Sequence, residues 1–519
     1  MHIDAQTLEN GAEIEGDVCI VGAGAAGISL AMEFVRSSRH RVLLLEGGGF
    51  DLEAPVQALY RGEIVGRPYY PLESARLHYF GGTTGHWGGY CAPLDPIDFT
   101  ARSWVPNSGW PFTHQTLDPF YARAHPILDL GPYDYRPASW QVRDARRVSL
   151  PFDRTVVDDK IWQFSPPTRF GSKYRAAIVS APQVHLYTHA NVVEIECNES
   201  ATVVESLRIR QRDGREQRVR ATHVVLACST MQNIRLLLSS HGRAAAGVGN
   251  THDMVGRYFL EHLEMPTGRA AIVKPQSMFL YGFDFGVTKA RAELRLTDAT
   301  QERLGVLNAT LACEPASEEG DDTLSTFEIE QPESVEQFRR ETRDSLSADM
   351  RSPARSFDAA FVARKPLFSL FTRQEQAPNP RSRVTLSRDR DALGVPQARF
   401  DWQLTPLDKR TMRETTVALA QQFGRSGVGR VQIRPWLLKG DEEWPAMVSG
   451  GWHDMGGTRM HTDPKQGVVD VDCRVHGVAN LHLAGAGVFP TAGSANPTLS
   501  IVALAIRLAD RLRVLLEAP

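Results

Sequence analysis

Three glycines in the N-terminal segment have the spacing of a loop that binds a pyrophosphate. Gly22, Gly24 and Gly27 form Gly-x-Gly-x-x-Gly directly after an apolar run and at the start of a helical pattern. The first glycine permits a tight turn, the second lets a phosphate approach the backbone, and the third lets helix and strand pack closely. The helix N-terminus adds unpaired N–H groups and a positive dipole end. The motif predicts a dinucleotide site, without separating FAD from NAD.

The elements around this motif form a βαβ unit. The stretch "DVCIVGAGAAGISLAMEFVRSSRHRVLLLEGGG" reads as strand, glycine turn, helix and second strand, and Glu46 closes the second strand. An acidic residue at that place can accept hydrogen bonds from a ribose. Strand, helix and acid therefore all stand where a dinucleotide-binding domain requires them.

A second glycine-rich stretch, "GGTTGHWGG" at residues 81–89, surrounds His86 and Trp87 with five glycines. Glycine lets a backbone lie close to another group because it has no side chain. Such a flexible loop contributes little to stability, so the composition indicates that a large group approaches the backbone here.

Composition and charge exclude several function classes. The chain has 519 residues, and its 58 basic and 61 acidic residues give a formal net charge of -3. This balance favours a small-molecule function over a nucleic-acid or membrane partner. The N-terminus has no basic region leading into an apolar core, and the apolar run at 18–32 is too short to span a membrane, so we expect a cytoplasmic protein. The six cysteines are widely spaced, so we predict no metal site.

The pattern of elements changes along the chain. Between about residues 268 and 445 it shifts to longer alternating segments, typical of a mostly antiparallel sheet, with an acidic stretch near 314–322 that we expect to be a solvated loop. The α/β pattern returns near the C-terminus. We predict an α/β protein whose Rossmann-like domain (1–100, 180–266 and 446–519) is interrupted by an α+β substrate domain (101–179 and 267–445).

Taken together, these segments resemble the glucose-methanol-choline (GMC) family of FAD-dependent oxidoreductases, nearest to its pyranose oxidase and sugar or polyol dehydrogenase branch. The matching segments occur in the family's order along most of the chain: "VGAGAAG", "LLEGGG", "GGTTGHWGG", "GWPFTHQTLDPFY", "FSPPTRFG", "VVLACSTMQNIRLLL", "VGRYFLEH", and the C-terminal region from "HDMGGTRMH" to "SANPTLS". The middle region matches least, as expected of a substrate-binding domain.

The resemblance implies FAD as the cofactor. In the family the glycine-rich loop passes along the isoalloxazine ring, and a histidine at the position of His86 is bonded to the flavin in some members and only contacts it in others. Both alternatives stay open for His86, as does a third, in which the side chain only packs in the protein. The remaining residues that the resemblance assigns to the cofactor, beside the glycine motif and Glu46, are Ala25, Gly82, Thr83, Trp87, Gly88, Val193, Cys228, Ala486, Pro497 and Thr498.

The resemblance also implies the chemistry. His453 in "GWHDMGG" matches the family's catalytic base, and Asn496 in "SANPTLS" matches its second residue, which can hydrogen-bond a substrate oxygen but cannot titrate. A histidine suits proton removal because its ordinary pKa, about 6.5, lies near working pH. Asn496 followed by Pro497 also predicts the N-cap of a helix. His262 in "FLEH" is predicted to make a structural hydrogen bond.

The implied reaction is oxidation of a small alcohol, a sugar, glycoside, polyol or similar metabolite, with a hydride passing to flavin N5 and molecular oxygen or another acceptor reoxidising the flavin. The alternative is a non-oxidative enzyme of the same fold, a lyase or decarboxylase, because fold alone does not fix function.

Overall fold

The computed structural model describes residues 1–37, 39–142, 145–282, 289–315, 367–445, 448 and 450–517. The strands, in chain order, are β1 His2–Asp4, β2 Glu13–Val21, β3 Val42–Leu45, β4 Gly62–Ile64, β5 Tyr90–Cys91, β6 Val157–Phe164, β7 Val184–Thr188, β8 Val192–Cys197, β9 Val204–Arg210, β10 Glu216–Leu226, β11 Phe259–Leu260, β12 His262–Ile272, β13 Lys289–Leu296, β14 Ala309–Pro315, β15 Leu367–Glu375, β16 Arg383–Arg390, β17 Pro396–Asp401, β18 Gly429–Ile433, β19 Met455–Gly456 and β20 Leu481–Leu483. The helices are α1 Ala25–Ser37, α2 Ala54–Gln57, α3 Pro96–Phe99, α4 Asp118–Ile127, α5 Pro137–Gln141, α6 Phe170–Ser180, α7 Thr230–Ser239, α8 Asp298–Leu304, α9 Pro406–Arg425 and α10 Thr498–Glu517.

The first sheet carries the glycine motif at the end of a central strand. Its order is β1-β7-β3-β2-β10-β9-β8 with β20 beside β10, and the pairs are parallel except β10-β9 and β9-β8. The residues of β3 are fully buried, as expected of apolar strands covered on both faces. Helices α1 and α10 pack together beside this sheet. The predicted α/β class with a Rossmann-like domain is confirmed.

The second sheet is antiparallel throughout its order β18-β12-β15-β14-β13-β6-β5. Helix α9 packs against it. The register of β12 and β15 sets Glu264 directly opposite Arg373. The predicted antiparallel sheet is therefore confirmed, whereas the residue boundaries of the two domains stay a prediction.

A short antiparallel strand pair brings two distant segments of the chain together. Strand β11 pairs with β19 through Phe259 with Gly456 and Leu260 with Met455. Because His262 follows β11 and His453 precedes β19, this pairing brings the two histidines side by side.

The N-terminal strand β1, at the edge of the first sheet, is held by a contact with His189. His189, which follows β7, shares hydrogen bonds with the carboxylates of Asp4 at the end of β1, at 2.9 Å, and Glu53 before α2, at 2.8 Å. Two carboxylates on one imidazole favour its protonated form.

Three sequence predictions concern loops, membranes and metals. Residues 316–322 of the acidic stretch lie outside the described residues, so its loop conformation stays a prediction. No helix in the described part of the chain is long and apolar enough to cross a bilayer. Within that same part, no three His, Cys, Asp or Glu side chains are grouped to hold a metal ion.

Candidate active site

A single cavity of about 1020 Å³ joins the glycine motif to the C-terminal histidine. Gly22 and Gly24 line one part of it, and His453 and Asn496 line another. This volume lies at the upper end of the range for ligand sites, about 300 to 1,000 Å³. The fold therefore places the predicted cofactor loop and the predicted catalytic residues around one space.

The three motif glycines have three different surroundings. Gly22 has φ +103°, a left-handed conformation that favours glycine. A Cβ on Gly27 would lie 1.9 Å from the carbonyl oxygen of Gly22, whereas a Cβ on Gly24 would have no atom within 4 Å. The open side of Gly24 faces the cavity, beside the first turn of α1, which begins at Ala25. The site therefore fits a pyrophosphate held against the backbone.

Glu46 is buried at the end of β3 and lines the cavity. Its Oε2 accepts a hydrogen bond from the backbone N–H of Ala23 at 3.0 Å, and its Oε1 accepts one from Gly48 at 2.9 Å. Burial raises the pKa of this carboxyl, and the backbone donors oppose the rise. Because a carboxylate has about four acceptor positions, capacity remains for ribose hydroxyls.

The glycine-rich loop, residues 81–89, lies against the motif. A Cβ on Gly82 would come within 3.0 Å of the Cα of Gly24, so the two glycine loops touch backbone to backbone. Arg169 holds the loop from behind, because its Nη1 donates hydrogen bonds to the carbonyl oxygens of Thr84 and Trp87, both at 3.0 Å. The loop is thus a fixed wall of the cavity.

His86 and Trp87 both line this wall, but they are held differently. The indole Nε1 of Trp87 donates to the carbonyl of Thr168 at 2.9 Å. Burial, with a smaller contribution from Arg169, lowers the pKa of His86 to about 4. His86 is therefore a neutral imidazole at physiological pH, with an unshared electron pair on one ring nitrogen.

His453 stands in a chain of three hydrogen bonds. Its Nε2 is 3.0 Å from Asn496 Nδ2, and its Nδ1 is 2.9 Å from His262 Nδ1. His262 Nε2 is in turn 2.8 Å from the carbonyl oxygen of Gly493. The structural hydrogen bond predicted for His262 is thus made to the histidine that the sequence predicts as the base.

The carbonyl at the end of this chain determines where each proton lies. A carbonyl oxygen can only accept, so His262 Nε2 carries the proton and donates to Gly493. Burial lowers the pKa of His262 well below its ordinary value, so its Nδ1 is unprotonated and accepts from His453 Nδ1–H. His453 Nε2 then has the free electron pair and accepts from Asn496 Nδ2. Burial, with Arg373, lowers the pKa of His453 to about 3, so the ring is neutral.

Glu261 fixes the backbones that carry these two histidines. It is fully buried, and its Oε1 accepts hydrogen bonds from the backbone N–H groups of His262 and His453, both at 2.8 Å. The hydroxyls of Tyr69 and Tyr70 donate to its Oε2. Sequence reasoning missed this carboxylate, although it adjoins His262 in "FLEH".

The side chain of Asn496 does not cap a helix as predicted. Its Oδ1 is buried and has no hydrogen-bond partner among the described residues, while its Nδ2 contacts His453. Helix α10 begins at Thr498, and the N–H of Ile501 donates to the carbonyl of Pro497 at 2.8 Å. The N-cap prediction for the side chain is wrong, because contact with His453 takes the amide away from the helix.

Most residues predicted from sequence line the cavity. Gly27 does not, in keeping with its packing contact against Gly22. The others that line it are Ala25, Gly82, Thr83, Gly88, Val193, Cys228, Ala486, Pro497 and Thr498. The cavity is also lined by residues that sequence reasoning did not select, namely Tyr69, Tyr70, Arg76, Tyr90, Glu264, Phe371, Arg373 and Trp452.

Comparison with known proteins finds relatives that are named as dehydrogenases and oxidases. The family model described as GMC oxidoreductase matches residues 378–505. The chain is 23% identical to 2-methyl-1,2-propanediol dehydrogenase of Mycolicibacterium austroafricanum, over 95% of this chain and 94% of the relative. It is 22% identical to the fructose dehydrogenase large subunit of Gluconobacter japonicus, over 96% and 97%. The crystal structure of pyridoxine 4-oxidase from Mesorbium loti superposes with a TM-score of 0.60, at 17% identity, over 95% and 98%.

The fold and the site define an oxidoreductase with a dinucleotide cofactor. Residues 378–505 match the GMC oxidoreductases, and the resemblance to that family predicted from the sequence is confirmed. The predicted enzyme class, an oxidoreductase acting on alcohol groups, is also confirmed. Similarity to this family implies FAD as the cofactor.

Proposed function

We propose that the chain oxidises an alcohol group on a sugar, glycoside, polyol or similarly hydroxylated metabolite, with His453 as the base. The named substrates of two relatives, a propanediol and fructose, both carry several hydroxyl groups. The observation that carries the proposal is the position of His453 Nε2, 3.0 Å from the amide nitrogen of Asn496 in the same cavity as the glycine motif.

His453 and Asn496 have different roles toward a substrate hydroxyl. The substrate hydroxyl replaces Asn496 Nδ2 as the donor to His453 Nε2, which takes the proton. Asn496 Nδ2 then donates to the hydroxyl oxygen and holds it in place. The cavity lining would hold FAD, which would supply N5 as the acceptor for the hydride of the carbinol carbon. The N-terminus of α10 also borders the cavity through Pro497 and Thr498, where its positive end stabilises negative charge.

The proposal is tested by anaerobic visible spectroscopy of the holoenzyme with a panel of sugars, glycosides and polyols. We expect at least one alcohol to bleach the flavin absorbance. The H453Q variant should keep its FAD and lose the bleaching, because glutamine cannot take the proton. The H461Q variant is the control, because His461 lies outside the cavity. Substrate cleavage without bleaching would instead indicate a lyase or decarboxylase and would contradict the proposal.

The neutral imidazole of His86 is compatible with a covalent bond to the flavin 8α-methyl carbon, which needs an unprotonated ring nitrogen, and with a non-covalent contact, which does not. Acid precipitation separates the two modes. Yellow colour that stays with precipitated wild-type protein, and is released from the H86A variant, establishes the bond. Colour released from both proteins establishes the contact.

The electron acceptor that completes the cycle is molecular oxygen or another oxidant. Hydrogen peroxide formation after bleaching, measured against reduction of an added quinone or dye, decides between oxidase and dehydrogenase.

A further inference from the structure

An ion pair that the proposed mechanism does not use lies in the cavity beside His453. Glu264 and Arg373 face each other across β12 and β15, and the Nε of Arg373 donates to Glu264 Oε1 at 2.5 Å. Both residues line the cavity. A Cβ on Gly451 would lie 2.7 Å from Glu264 Oε1 and 2.8 Å from His453 Nδ1. The carboxylate and the Nδ1 edge of the imidazole therefore both pack closely against the backbone of Gly451.

Arg373 is buried but keeps an unused donor. The residue is 7% exposed, and its buried Nη1 is directed to Glu293 Oε2, at 3.7 Å and away from the cavity. Its Nη2 is not among the buried atoms and makes no hydrogen bond to the described residues, so it is the donor left for a group in the cavity. The guanidinium also lies over the rings of Tyr90, at 5.4 Å, and Trp162, at 5.3 Å, which fix its plane. Such an arrangement is preorganised to donate to an oxygen in the cavity.

Glu264 supplies the complementary acceptor. It accepts one hydrogen bond from Arg373, and a carboxylate has about four acceptor positions. One hydroxyl can therefore donate to Glu264 while its oxygen accepts from Arg373. The charges of the two side chains offset each other, so this part of the cavity favours a neutral polar group over an ammonium or a carboxylate.

We propose that the Glu264–Arg373 pair binds a second hydroxyl of the substrate, on the carbon next to the one oxidised, and thereby selects vicinal diols over isolated alcohols. The inference rests on the proposed function and deepens it. Glu264 Oε1 and His453 Nδ1 both lie against Gly451, so hydroxyls on two adjacent carbons can reach the pair and the base together. Glu264 and Arg373 are specificity-determining residues in this scheme, and the proton transfer stays with His453.

The experiment compares matched substrates with the holoenzyme. trans-Cyclohexane-1,2-diol is compared with cyclohexanol, and propane-1,2-diol with propan-2-ol and propan-1-ol, by anaerobic bleaching and by steady-state kcat/KM. We expect the wild type to prefer the diol by about tenfold or more in each pair that reacts, the effect of one hydrogen bond to a charged group. Equal rates within the pairs would overturn this inference alone, whereas no bleaching by any alcohol would overturn the proposed function as well.

Variants separate recognition from structural support. R373K keeps the charge but loses the planar fork, and should reduce the diol preference to about threefold or less. Arg291 is the matched control, because it is a buried arginine that also pairs with Glu293, at 2.7 Å, but does not line the cavity. R291K should keep the preference of the wild type. If both variants lower the preference equally, the pair is only structural and the inference fails.

A second substitution covers the case in which R373K does not fold. E264Q keeps an oxygen that can accept from Arg373 but removes the negative charge, so it should weaken diol binding, raising KM for the diol more than for the monoalcohol. FAD absorbance and Tm verify that the variant is folded. An unchanged diol preference in folded E264Q would also overturn the inference.

Discussion

Two substitutions at His262 test whether it determines the protonation of His453. Glutamine places its amide nitrogen near the position of His262 Nε2, so it can still donate to the carbonyl of Gly493 but offers no acceptor to His453 Nδ1. Asparagine places its carbonyl oxygen near the position of His262 Nδ1, so it keeps that acceptor and gives up the contact with Gly493. The two variants therefore remove opposite ends of the hydrogen-bond chain.

The size of the effect follows from the burial of His262. In H262Q the N–H at His453 Nδ1 loses its acceptor on the side of the fully buried residue 262, a penalty of about 1–3 kcal/mol. The ring escapes this penalty by moving its proton to Nε2, which removes the electron pair that faces the cavity. Activity then needs the unfavourable tautomer, and kcat should fall by about 5- to 150-fold. H262N should stay within about fivefold of the wild type.

The assay is the anaerobic rate of flavin bleaching by an alcohol that reduces the wild type, with FAD content and Tm measured for each variant. A structural role alone would lower Tm and leave the bleaching rate of folded protein unchanged in both variants. Equal loss of rate in H262Q and H262N would refute the tautomer argument, and so would a faster rate in H262Q than in H262N.

Three further predictions concern pH, the cofactor loop and the N-terminal strand. Because burial lowers the pKa of His453 to about 3 and the base must be neutral to act, kcat/KM should show no acid limb between pH 5 and 8, and a limb near the ordinary histidine pKa would contradict this. G24V should fold within about 1 kcal/mol of the wild type but bind FAD weakly, whereas G27A should lose about 3 kcal/mol or more because its Cβ meets backbone, as measured by FAD titration and by denaturation. Burial lowers the pKa of His189, but the two carboxylates that contact it outweigh burial and raise the pKa. The ion pairs of His189 therefore contribute fully to stability below about pH 6.5, and this contribution is lost as pH rises through the raised pKa. The Tm difference between wild type and H189N, which keeps a residue suited to φ +53°, should therefore shrink from pH 6 to pH 9, and a constant difference would speak against the ion pairs.

The parts of the site that are contiguous in sequence could be predicted from it. Gly22 and Gly24 are a local pattern, since turn, strand and helix all lie within one short segment. His453 and Asn496 each lie in a short motif that can be recognised without the rest of the chain. Their contact was implied only by resemblance, because nothing in the intervening sequence specifies that two residues 43 positions apart meet at 3.0 Å.

Glu264 and Arg373 could not be found in this way. They are 109 residues apart and meet only through the register of β12 and β15. Alternation along a strand indicates which residues share a face, but it does not say which residue of a distant strand lies opposite. The same holds for Tyr69 and Tyr70, whose contact with Glu261 depends on the path of a loop.

The turn from Gly493 to Asn496 explains how two separate sheets can together set the distance between His453 and Asn496. Its first carbonyl orients His262 and its last side chain contacts His453, so a shift of the turn would disturb both hydrogen bonds at once. The antiparallel sheet anchors the turn, because Lys160 on β6 donates to Ser494 Oγ at 3.4 Å and pairs with Asp95 at 2.7 Å. The turn leads directly into α10, which packs beside the first sheet. His453 and Asn496 are thus held by contacts from both sheets. These contacts can keep the hydrogen-bond chain through His262 rigid at the edge of a cavity large enough for the cofactor.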